Sequence, residues 1–368
     1  MMYNKKTLIQ KCPIFYNSLS VTKFDGYSFI FIHHLTQSNA PFLAAWIKKV
    51  KTIGVISIPY SEVMMVKKKL GRLVKVFSPK SVDQIPKLLL ELSQRSPKEK
   101  IVLVEVGGYS SLVSDKLKNV VFGIEDTSQG HWLQVKNHNL RYPVVSIADT
   151  KAKRIEDRYV GESIVRTIDH VLKKHNSVFG NKEKIYSVLS YGRIGESVCL
   201  ALRDRGVRPY VFDTNIFKRA LAIADGYLSS ERSRLLRISD VIIGCSGRRS
   251  ITKNDIGLLK PGSCLFSGSS KQVEFEEILN YMDRDSGDNQ LKVLDFGNKK
   301  SWIGYFGQPI NFLDTTDSEM FDVPFALQVE CFNYWKSSKL ANKVYTLPMV
   351  YQRKILDLYV KFNNHKQL

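Results

Sequence analysis

Cysteine is scarce in this sequence, and the few cysteines are scattered. The 368 residues contain five cysteines with no Cys-x-x-Cys pair, which excludes a disulfide framework and a zinc site and favours a reducing compartment. No apolar run approaches the roughly 20 residues that span a bilayer, and the first residues lack the roughly 7–15-residue apolar stretch of a secretory signal. We therefore expect a cytoplasmic protein with no membrane partner and no bound metal.

Acidic residues are also in short supply. The chain carries 55 Lys and Arg against 35 Asp and Glu, and residues 1–100 hold 17 basic and 5 acidic side chains, a net charge of +12. Such a region could attract nucleic acid or anionic lipid. However, no aromatic residues alternate with the lysine run 67–69 as base stacking requires. A solvated, lysine-rich surface is the simpler explanation of the charge, so we expect no nucleic-acid partner.

The apolar residues are arranged as alternating strands and helices. They make up 43% of a chain that is long enough for about two domains. Apolar runs of strand length alternate with amphipathic segments, which predicts parallel strands covered by helices on both faces. The pattern restarts after residue 147. It predicts an α/β fold with two parallel-sheet domains: residues 1–160, completed by a C-terminal return over 318–368, and residues 161–317.

The sharpest local signal is a strand, a tight turn and a helix start in the second domain. It runs Ser190-Tyr-Gly192-Arg193-Ile194-Gly195. This matches the dinucleotide fingerprint G-x-G-x-x-G with serine first, and its middle glycine leaves room for a pyrophosphate at the helix N-terminus. Asp213 lies 21 residues after Gly192, where an acidic residue binds the adenine ribose and favours NAD over NADP. We predict a Rossmann-type NAD-binding domain; the alternative is a Rossmann-like domain with an altered pocket.

Several segments, in collinear order from about residue 31 to residue 348, resemble the adenosylhomocysteinases, NAD-dependent enzymes that split S-adenosylhomocysteine. They are His34-Leu35-Thr36, Val106-Gly107-Gly108, 125–130 (Glu-Asp-Thr-Ser-Gln-Gly), 145–153 followed by Glu162-Ser163, 190–195 with Asp213, 267–269 and 307–309. No single segment is decisive. Their order and spacing predict shared ancestry.

The resemblance implies a chemistry and a set of site residues. In that family NAD oxidises the ribose 3′-hydroxyl, the 5′ thiol leaves by elimination, water adds, and the ketone is reduced back. The resemblance implies catalytic and substrate-binding roles for His34, Asp126 and Lys151, with Thr36 as a further substrate contact. It implies cofactor contacts at Ser190, Gly192, Arg193, Ile194, Gly195, Asp213, Thr127, Ser128 and Gly268. The alternatives are a structural role for His34 and an ordinary exposed position for Lys151.

Two catalytic aspartates of the family have no direct counterpart. Val106 stands where one of them is expected and cannot transfer a proton, while the neighbouring Glu105 points to the other face of its strand. Ile155 aligns without gaps to the second. Glu156 or Asp157 could replace it if the register slips by one or two residues.

Three further replacements leave the function open. Ser269 and Gln308 stand where the family has histidines, and Lys218 stands where it has an asparagine near the cofactor ribose. One hypothesis is an NAD-dependent enzyme of one-carbon metabolism that acts on S-adenosylhomocysteine or a related adenosine thioether. A second is a non-catalytic NAD- and nucleoside-binding sensor or assembly partner, and a third, resting on charge alone, is a nucleic-acid-associated protein. The resemblance implies a small-molecule nucleoside ligand and a homo-oligomer.

Overall fold

The chain divides into two compact units, each built on its own β-sheet. The computed structural model describes residues 9–180, 182–269, 271–311 and 318–364. The units are Met1–Glu156 with Asp317–Leu368, and Asp157–Thr316.

The first unit contains a seven-stranded sheet in which all neighbouring strands are parallel. Its strands are β1 (Ser28–His33), β2 (Lys51–Ser57), β3 (Val76–Phe77), β4 (Ile101–Glu105), β5 (Val120–Glu125), β6 (Val144–Ser146) and β15 (Val344–Thr346). Their order is β15-β6-β5-β4-β1-β2-β3. Every residue of β1 is buried, as expected for a central strand covered on both faces.

Helices flank this sheet. They are α1 (Pro13–Val21), α2 (Ala40–Lys49), α3 (Met64–Leu70), α4 (Ile85–Gln94), α5 (Ser128–Val135), α11 (Asp322–Ser337) and α12 (Met349–Asn364). Side chains of a strand alternate between its two faces. Ile30 and Ile32 accordingly belong to an aliphatic cluster, while Phe29 and Phe31 contact Trp46 of α2 in an aromatic cluster.

A buried carboxylate ties α11 to α1. Asp322 accepts hydrogen bonds from the backbone N–H groups of Ile14 (3.2 Å) and Phe15 (2.7 Å), which lack partners within their own helix. We expect Asp322→Ala to lower the free energy of unfolding by about 1–2 kcal/mol, the usual effect of losing a helix cap. Urea denaturation would measure it. Asp357→Ala, which removes an exposed carboxylate from α12, is the control; an equal loss in both variants contradicts the capping role.

The second unit contains an eight-stranded sheet. Its strands are β7 (Tyr186–Leu189), β8 (Tyr210–Phe212), β9 (Leu228–Ser229), β10 (Val241–Gly244), β11 (Cys264–Ser267), β12 (Met282–Asp283), β13 (Leu291–Asp295) and β14 (Lys300–Gly304). They are ordered β12-β13-β14-β11-β10-β7-β8-β9. The helices are α6 (Arg154–Lys174), which begins in the first unit, α7 (Asn176–Phe179), α8 (Arg193–Arg203), α9 (Ile216–Ala224) and α10 (Arg232–Ile238).

The predicted α/β fold with two sheets is confirmed, with one correction at the edge of the second sheet. Strand β13 pairs antiparallel with both β12 and β14, whereas the other neighbours are parallel. Residues 296–299 alone join β13 to β14, with Gly297 at φ +83°. A connection this short makes a hairpin, because parallel strands need a crossover of about a dozen or more residues. The expectation of a wholly parallel second sheet is therefore wrong at this edge.

Candidate functional site

The carboxyl ends of β1, β4 and β5 carry a cluster of buried polar residues in the first unit. His33, Glu105 and Glu125 are the last residues of these three adjacent strands. His34 and Asp126 follow directly. Because the carboxyl ends of parallel strands meet at one edge of a sheet, the cluster occupies the place where α/β proteins bind ligands.

Lys153 supplies a cation to this edge. Its ammonium donates to the carboxylate of Asp126 and to the main-chain carbonyl oxygen of the same residue (2.5 Å), and lies 3.3 Å from the Glu156 carboxylate. Lys153 is only 8% exposed. Burial is the largest single influence on the pKa of Asp126 and raises it, but the charge and hydrogen bond of Lys153, together with the two neighbouring histidines, lower it overall. The two side chains therefore form an ion pair that is largely shielded from water.

The structure places Lys153, and not Lys151, in contact with Asp126. Lys151 is exposed, and its side chain makes no hydrogen bond or ion pair within the described part of the chain. A slip of two residues in the ungapped alignment moves Lys153 to the position expected for Lys151. The same slip moves Asp157 to the position expected for Ile155. Of the two acidic residues considered for the second aspartate, Glu156 lies 3.3 Å from Lys153, whereas Asp157 is bound by Arg193.

Two neutral histidines lie beside the ion pair. Burial lowers the pKa of His33 to about 4 and that of His34 to about 3, although the charge of Asp126 acts in the opposite direction on both. His34 Nδ1 is 2.6 Å from the hydroxyl of Ser61. His33 Nε2 is buried and has no hydrogen-bond partner among the described residues. An unpaired buried ring nitrogen is uncommon and is available to a polar group of a ligand.

Thr36, an expected substrate contact, forms hydrogen bonds within the turn that follows β1. Its N–H donates to Asn39 Oδ1 (3.1 Å), and the Asn39 N–H donates to Thr36 Oγ1 (3.4 Å). The Asn39 amide also donates to the carbonyl oxygen of His34 (2.7 Å). Thr36 and Asn39 therefore hold the backbone that carries the histidines. Sequence reasoning missed His33, because the last residue of an apolar strand gives no separate signal.

Two buried carboxylates support the turns on either side of the cluster. Glu105 and Glu125 lie opposite each other in the register of β4 and β5. Glu125 accepts hydrogen bonds from the backbone N–H groups of Gly107 (3.1 Å), Gly108 (2.9 Å) and Thr127 (2.7 Å). Because it binds the backbone on both sides, Glu125 fixes the position of the segment that contains Asp126.

Thr127 and Ser128, expected to contact a cofactor, differ in their surroundings. The Thr127 hydroxyl donates to Glu125 (2.7 Å) and accepts from the N–H of Gly130 (3.1 Å), so it caps α5. Ser128 begins α5 and is exposed. The Thr127 hydroxyl is therefore occupied within the first unit, and Ser128 is the more accessible of the two.

The carboxylate pair makes stability depend on pH. Burial raises the pKa of Glu125 to about 8, helped by the charge of Glu105, and burial likewise raises the pKa of Glu105. The folded protein therefore binds a proton more tightly than the unfolded chain, where the pKa of a glutamate is 4.5. The resulting stabilisation is fully present below pH 4.5 and is lost as the pH rises through about 8.

We expect Glu105→Gln to weaken this dependence, because it removes the charge that faces Glu125. As the pH rises from about 5 to about 8.5, the unfolding free energy of the variant should fall by about 1–2 kcal/mol less than that of the wild type. Thermal or urea unfolding at both pH values measures the difference. Glu91→Gln, on the exposed side of α4, should show no such gain. The account of the pair fails if Glu105→Gln retains the wild-type pH dependence.

In the second unit, the turn between β7 and α8 leaves open space above its backbone. A Cβ built on Gly192 would have two atoms near it, Lys218 Nζ and Ser190 Oγ, each at 3.8 Å. A Cβ on Gly195 would collide with the carbonyl oxygen of Ser190. Gly192 thus provides a cradle, and Gly195 lets the helix pack against the turn, the two roles that the fingerprint needs. Ser190 adopts a φ of 92°, in the region that favours glycine.

Asp213 is held beside this turn. Its Oδ2 accepts hydrogen bonds from the Ser190 hydroxyl (3.0 Å) and the Tyr191 N–H (2.8 Å), and its Oδ1 accepts one from the Asn215 N–H (2.8 Å). A carboxylate oxygen can accept two hydrogen bonds, so Oδ1 keeps capacity for a ribose hydroxyl. The cradle at Gly192 and this oxygen fit the diphosphate and a sugar of a dinucleotide.

Arg193 and Ile194, which follow Gly192, are less open. The Arg193 guanidinium binds both carboxylate oxygens of Asp157, with Nε–Oδ2 at 2.7 Å and Nη2–Oδ1 at 3.1 Å. Ile194 is half-buried. Arg205 binds Glu162 in the same two-pronged way. These two pairs connect α8 and the residues just after it to α6. The carboxylate of Asp157 also offsets the positive charge of Arg193.

Gly268 and Ser269 follow β11 at the same edge of the second sheet. A Cβ on Gly268 would lie 2.9 Å from the sulfur of Cys245, so a larger residue would displace that side chain. Ser269 donates to the buried carboxylate of Glu274, which also accepts from the Gly247 N–H (2.7 Å). The hydroxyl of Ser269 is thus engaged in holding the loops of its own unit.

Neither a metal centre nor a membrane span is found in the described ranges. Those residues contain no group of three or more His, Cys, Asp or Glu side chains placed to hold a metal ion. No helix within them combines the length and apolar character needed to cross a membrane.

The two sheets and the glycine-rich turn define the class of protein: an α/β protein with a Rossmann-type unit. A phosphoglycerate oxidoreductase from Vibrio cholerae O395 matches the fold with a TM-score of 0.50 over 84% of this chain and 99% of that chain, at 13% identity. At this identity the match shows the fold alone. No protein-family model matches the chain.

The chain is similar in sequence to curated adenosylhomocysteinases, which confirms the resemblance predicted from its motifs. It is 27% identical to the adenosylhomocysteinase of Archaeoglobus fulgidus over 219 residues, covering 57% of this chain and 53% of the relative. It is 23% identical to the S-inosyl-L-homocysteine hydrolase of Methanococcus maripaludis over 256 residues, covering 64% and 59% respectively. The chain spans about half the length of the curated relatives that it matches first.

Proposed function

We propose that the chain is an NAD-dependent, adenosylhomocysteinase-like enzyme that oxidises the ribose 3′-hydroxyl of S-adenosylhomocysteine or a related adenosine thioether. The observation that carries this proposal is the buried Lys153–Asp126 pair. An amine and a carboxylate beside two neutral imidazoles are groups suited to moving a proton at a hydroxyl. In this proposal the first unit binds substrate and the second binds cofactor.

The second unit would hold the cofactor through its turn and its acidic residue. NAD, when bound, supplies the hydride acceptor that oxidation of a secondary hydroxyl requires. Gly192 would admit the diphosphate, the N–H groups that begin α8 would face its charge, and Asp213 Oδ1 would accept a ribose hydroxyl. The remaining cofactor contacts that we propose in this unit are Ser190, Arg193, Ile194, Gly195 and Gly268.

The first unit would move the proton through Lys153. Without substrate, the Lys153 ammonium is paired with the carboxylates of Asp126 and Glu156. A ribose hydroxyl that binds the carboxylate of Asp126 competes with the ammonium for it, and the weakened ion pair lowers the proton affinity of Nζ. The neutral amine then takes the hydroxyl proton. His33 Nε2, which has no hydrogen-bond partner among the described residues, would donate one hydrogen bond to the substrate or accept one from it.

One observation favours a second candidate function. Val106, where the family has a catalytic aspartate, is 4% exposed and belongs to the aliphatic cluster of the first unit. A side chain without an ionisable group cannot serve as a general acid or base. The loss of one such catalytic group costs roughly 10²–10⁴-fold in rate. The second candidate is a protein that binds NAD and a nucleoside without turnover, as a sensor or assembly partner.

The test combines the identity of bound nucleotides with an assay of turnover. Mass spectrometry identifies the small molecules that co-purify with the protein, and a thiol-release assay measures cleavage of S-adenosylhomocysteine and of S-inosylhomocysteine. NAD binding with thiol release supports the enzyme. NAD binding without thiol release from either thioether favours the second candidate. A protein that binds neither NAD nor a nucleoside contradicts both.

The enzymatic proposal brings further expectations about the cellular role. We propose a function in one-carbon metabolism, a cytoplasmic location, and a homo-oligomeric assembly with a small-molecule nucleoside as its ligand. Light scattering coupled to size exclusion would measure the oligomer directly, and a monomer at working concentration would contradict that part of the proposal.

A further inference from the structure

Lys218 is an exposed cation that stands over the Gly192 turn. It is the third residue of α9, and its Nζ lies 3.8 Å from the position that a Cβ of Gly192 would occupy. Its side chain makes no hydrogen bond or ion pair with any residue that the structure describes. The neighbouring Arg219 differs, because its guanidinium is 3.3 Å from Glu231. Lys218 is therefore a free positive charge at the mouth of the cradle.

The position of Lys218 is electrostatically unfavourable for a cation. The first turn of a helix carries the positive end of the helix dipole, which favours anions and disfavours lysine. The first turn of α9 contains no acidic residue to offset this. The nearest carboxylate in sequence, that of Asp213, instead accepts hydrogen bonds from Ser190, Tyr191 and Asn215. An anion bound in the cradle would supply the missing negative charge.

The charged side chains at the start of α8, which also border the Gly192 turn, are paired. Arg193 is the first residue of α8, but its guanidinium is held by Asp157. Glu196, also in the first turn of α8, lies 3.9 Å from Arg158. The backbone N–H groups at the start of α8 carry only partial charge, so Lys218 is the full charge best placed to meet a phosphate.

We infer, on the basis of the proposed function, that Lys218 binds the diphosphate of the dinucleotide against the Gly192 turn. The ligand class that this unit selects is then a nucleotide with a diphosphate, and the ammonium contributes through charge rather than through shape. An ammonium acts on phosphate as a point charge, so another cation at this position should replace it.

Calorimetric titration of the full chain with NAD, ADP and AMP tests the inference. Lys218→Gln should weaken NAD and ADP by about tenfold or more, as the loss of one charge-assisted contact does, while AMP should lose less. Lys218→Arg should stay within about threefold of the wild type. The dependence of ADP affinity on salt should also be shallower in Lys218→Gln. Lys253→Gln, an exposed lysine of the same unit, should change nothing.

The possible failures are distinguishable. If the wild type binds NAD and Lys218→Gln binds it equally well, the inference about Lys218 is overturned and the proposed function stands. An equal loss for NAD, ADP and AMP also overturns it, since the lysine would then act on the nucleoside part or on the fold. If the wild type binds ADP with the expected Lys218 dependence but does not bind NAD, the proposed function fails and the diphosphate site remains.

Discussion

Replacing Lys153 by arginine should reduce thiol release from S-adenosylhomocysteine by about 10²–10⁴-fold, the usual effect of losing a general base. Arginine keeps the positive charge that Asp126 requires, but its guanidinium does not release a proton in proteins. The expected loss is therefore in turnover, and the fold should survive because the buried carboxylate still has a cationic partner. Steady-state kinetics, together with thermal unfolding of the same sample, measures both.

The matched control for this prediction is Lys151→Arg. Lys151 lies two residues away on the same loop and is exposed, so its replacement should leave turnover and unfolding temperature unchanged. Lys153→Met is a second variant, and it should also lose stability because it leaves the buried Asp126 without a cation. Full activity in Lys153→Arg, or loss of activity in Lys151→Arg, would show that Lys153 is not the general base.

A valine at position 192 should abolish NAD binding without unfolding the protein. The φ of Gly192 is −79°, which a side chain tolerates, and among the described residues other than its chain neighbours no atom would lie closer than 3.8 Å to a Cβ at this position. The valine therefore enters the cradle without straining the chain, but it occupies the volume that the diphosphate needs. We expect the dissociation constant for NAD to rise by at least about 100-fold, measured by calorimetry.

Gly257→Val provides the control for the cradle. A Cβ on Gly257 also meets open space in the second unit, so this variant has the same added bulk on an exposed glycine outside the turn. Its NAD affinity and its unfolding temperature should equal those of the wild type. Undiminished NAD binding by Gly192→Val would show that the cofactor does not use this turn.

Much of the fold could be predicted from local pattern. Continuous apolar runs such as that of β1 predicted buried parallel strands, since both faces of such strands are covered by helices. The antiparallel edge of the second sheet escaped prediction, because the pairing direction of β13 depends on the short link at Gly297 rather than on the residues of the strand. The apolar pattern of a strand is the same whether the strand pairs parallel or antiparallel with its neighbour.

The site residues remain predictions, and the structure adds which side chains lie together. The motifs pointed to Asp126 and, aligned without gaps, to Lys151, whereas the structure places Lys153 in contact with Asp126. The choice depends on which side chain the backbone turns toward Asp126, a property of the tertiary structure.

The absorbance of reduced nicotinamide, followed after mixing the NAD-loaded protein with S-adenosylhomocysteine, tests the central claim most directly. The proposal predicts that the wild type and Lys151→Arg reduce the bound cofactor, while Lys153→Arg binds the substrate and does not. A wild type that binds both ligands without reducing the cofactor, or a Lys153→Arg variant that reduces it at the wild-type rate, would contradict the claim that Lys153 begins an oxidation of the ribose.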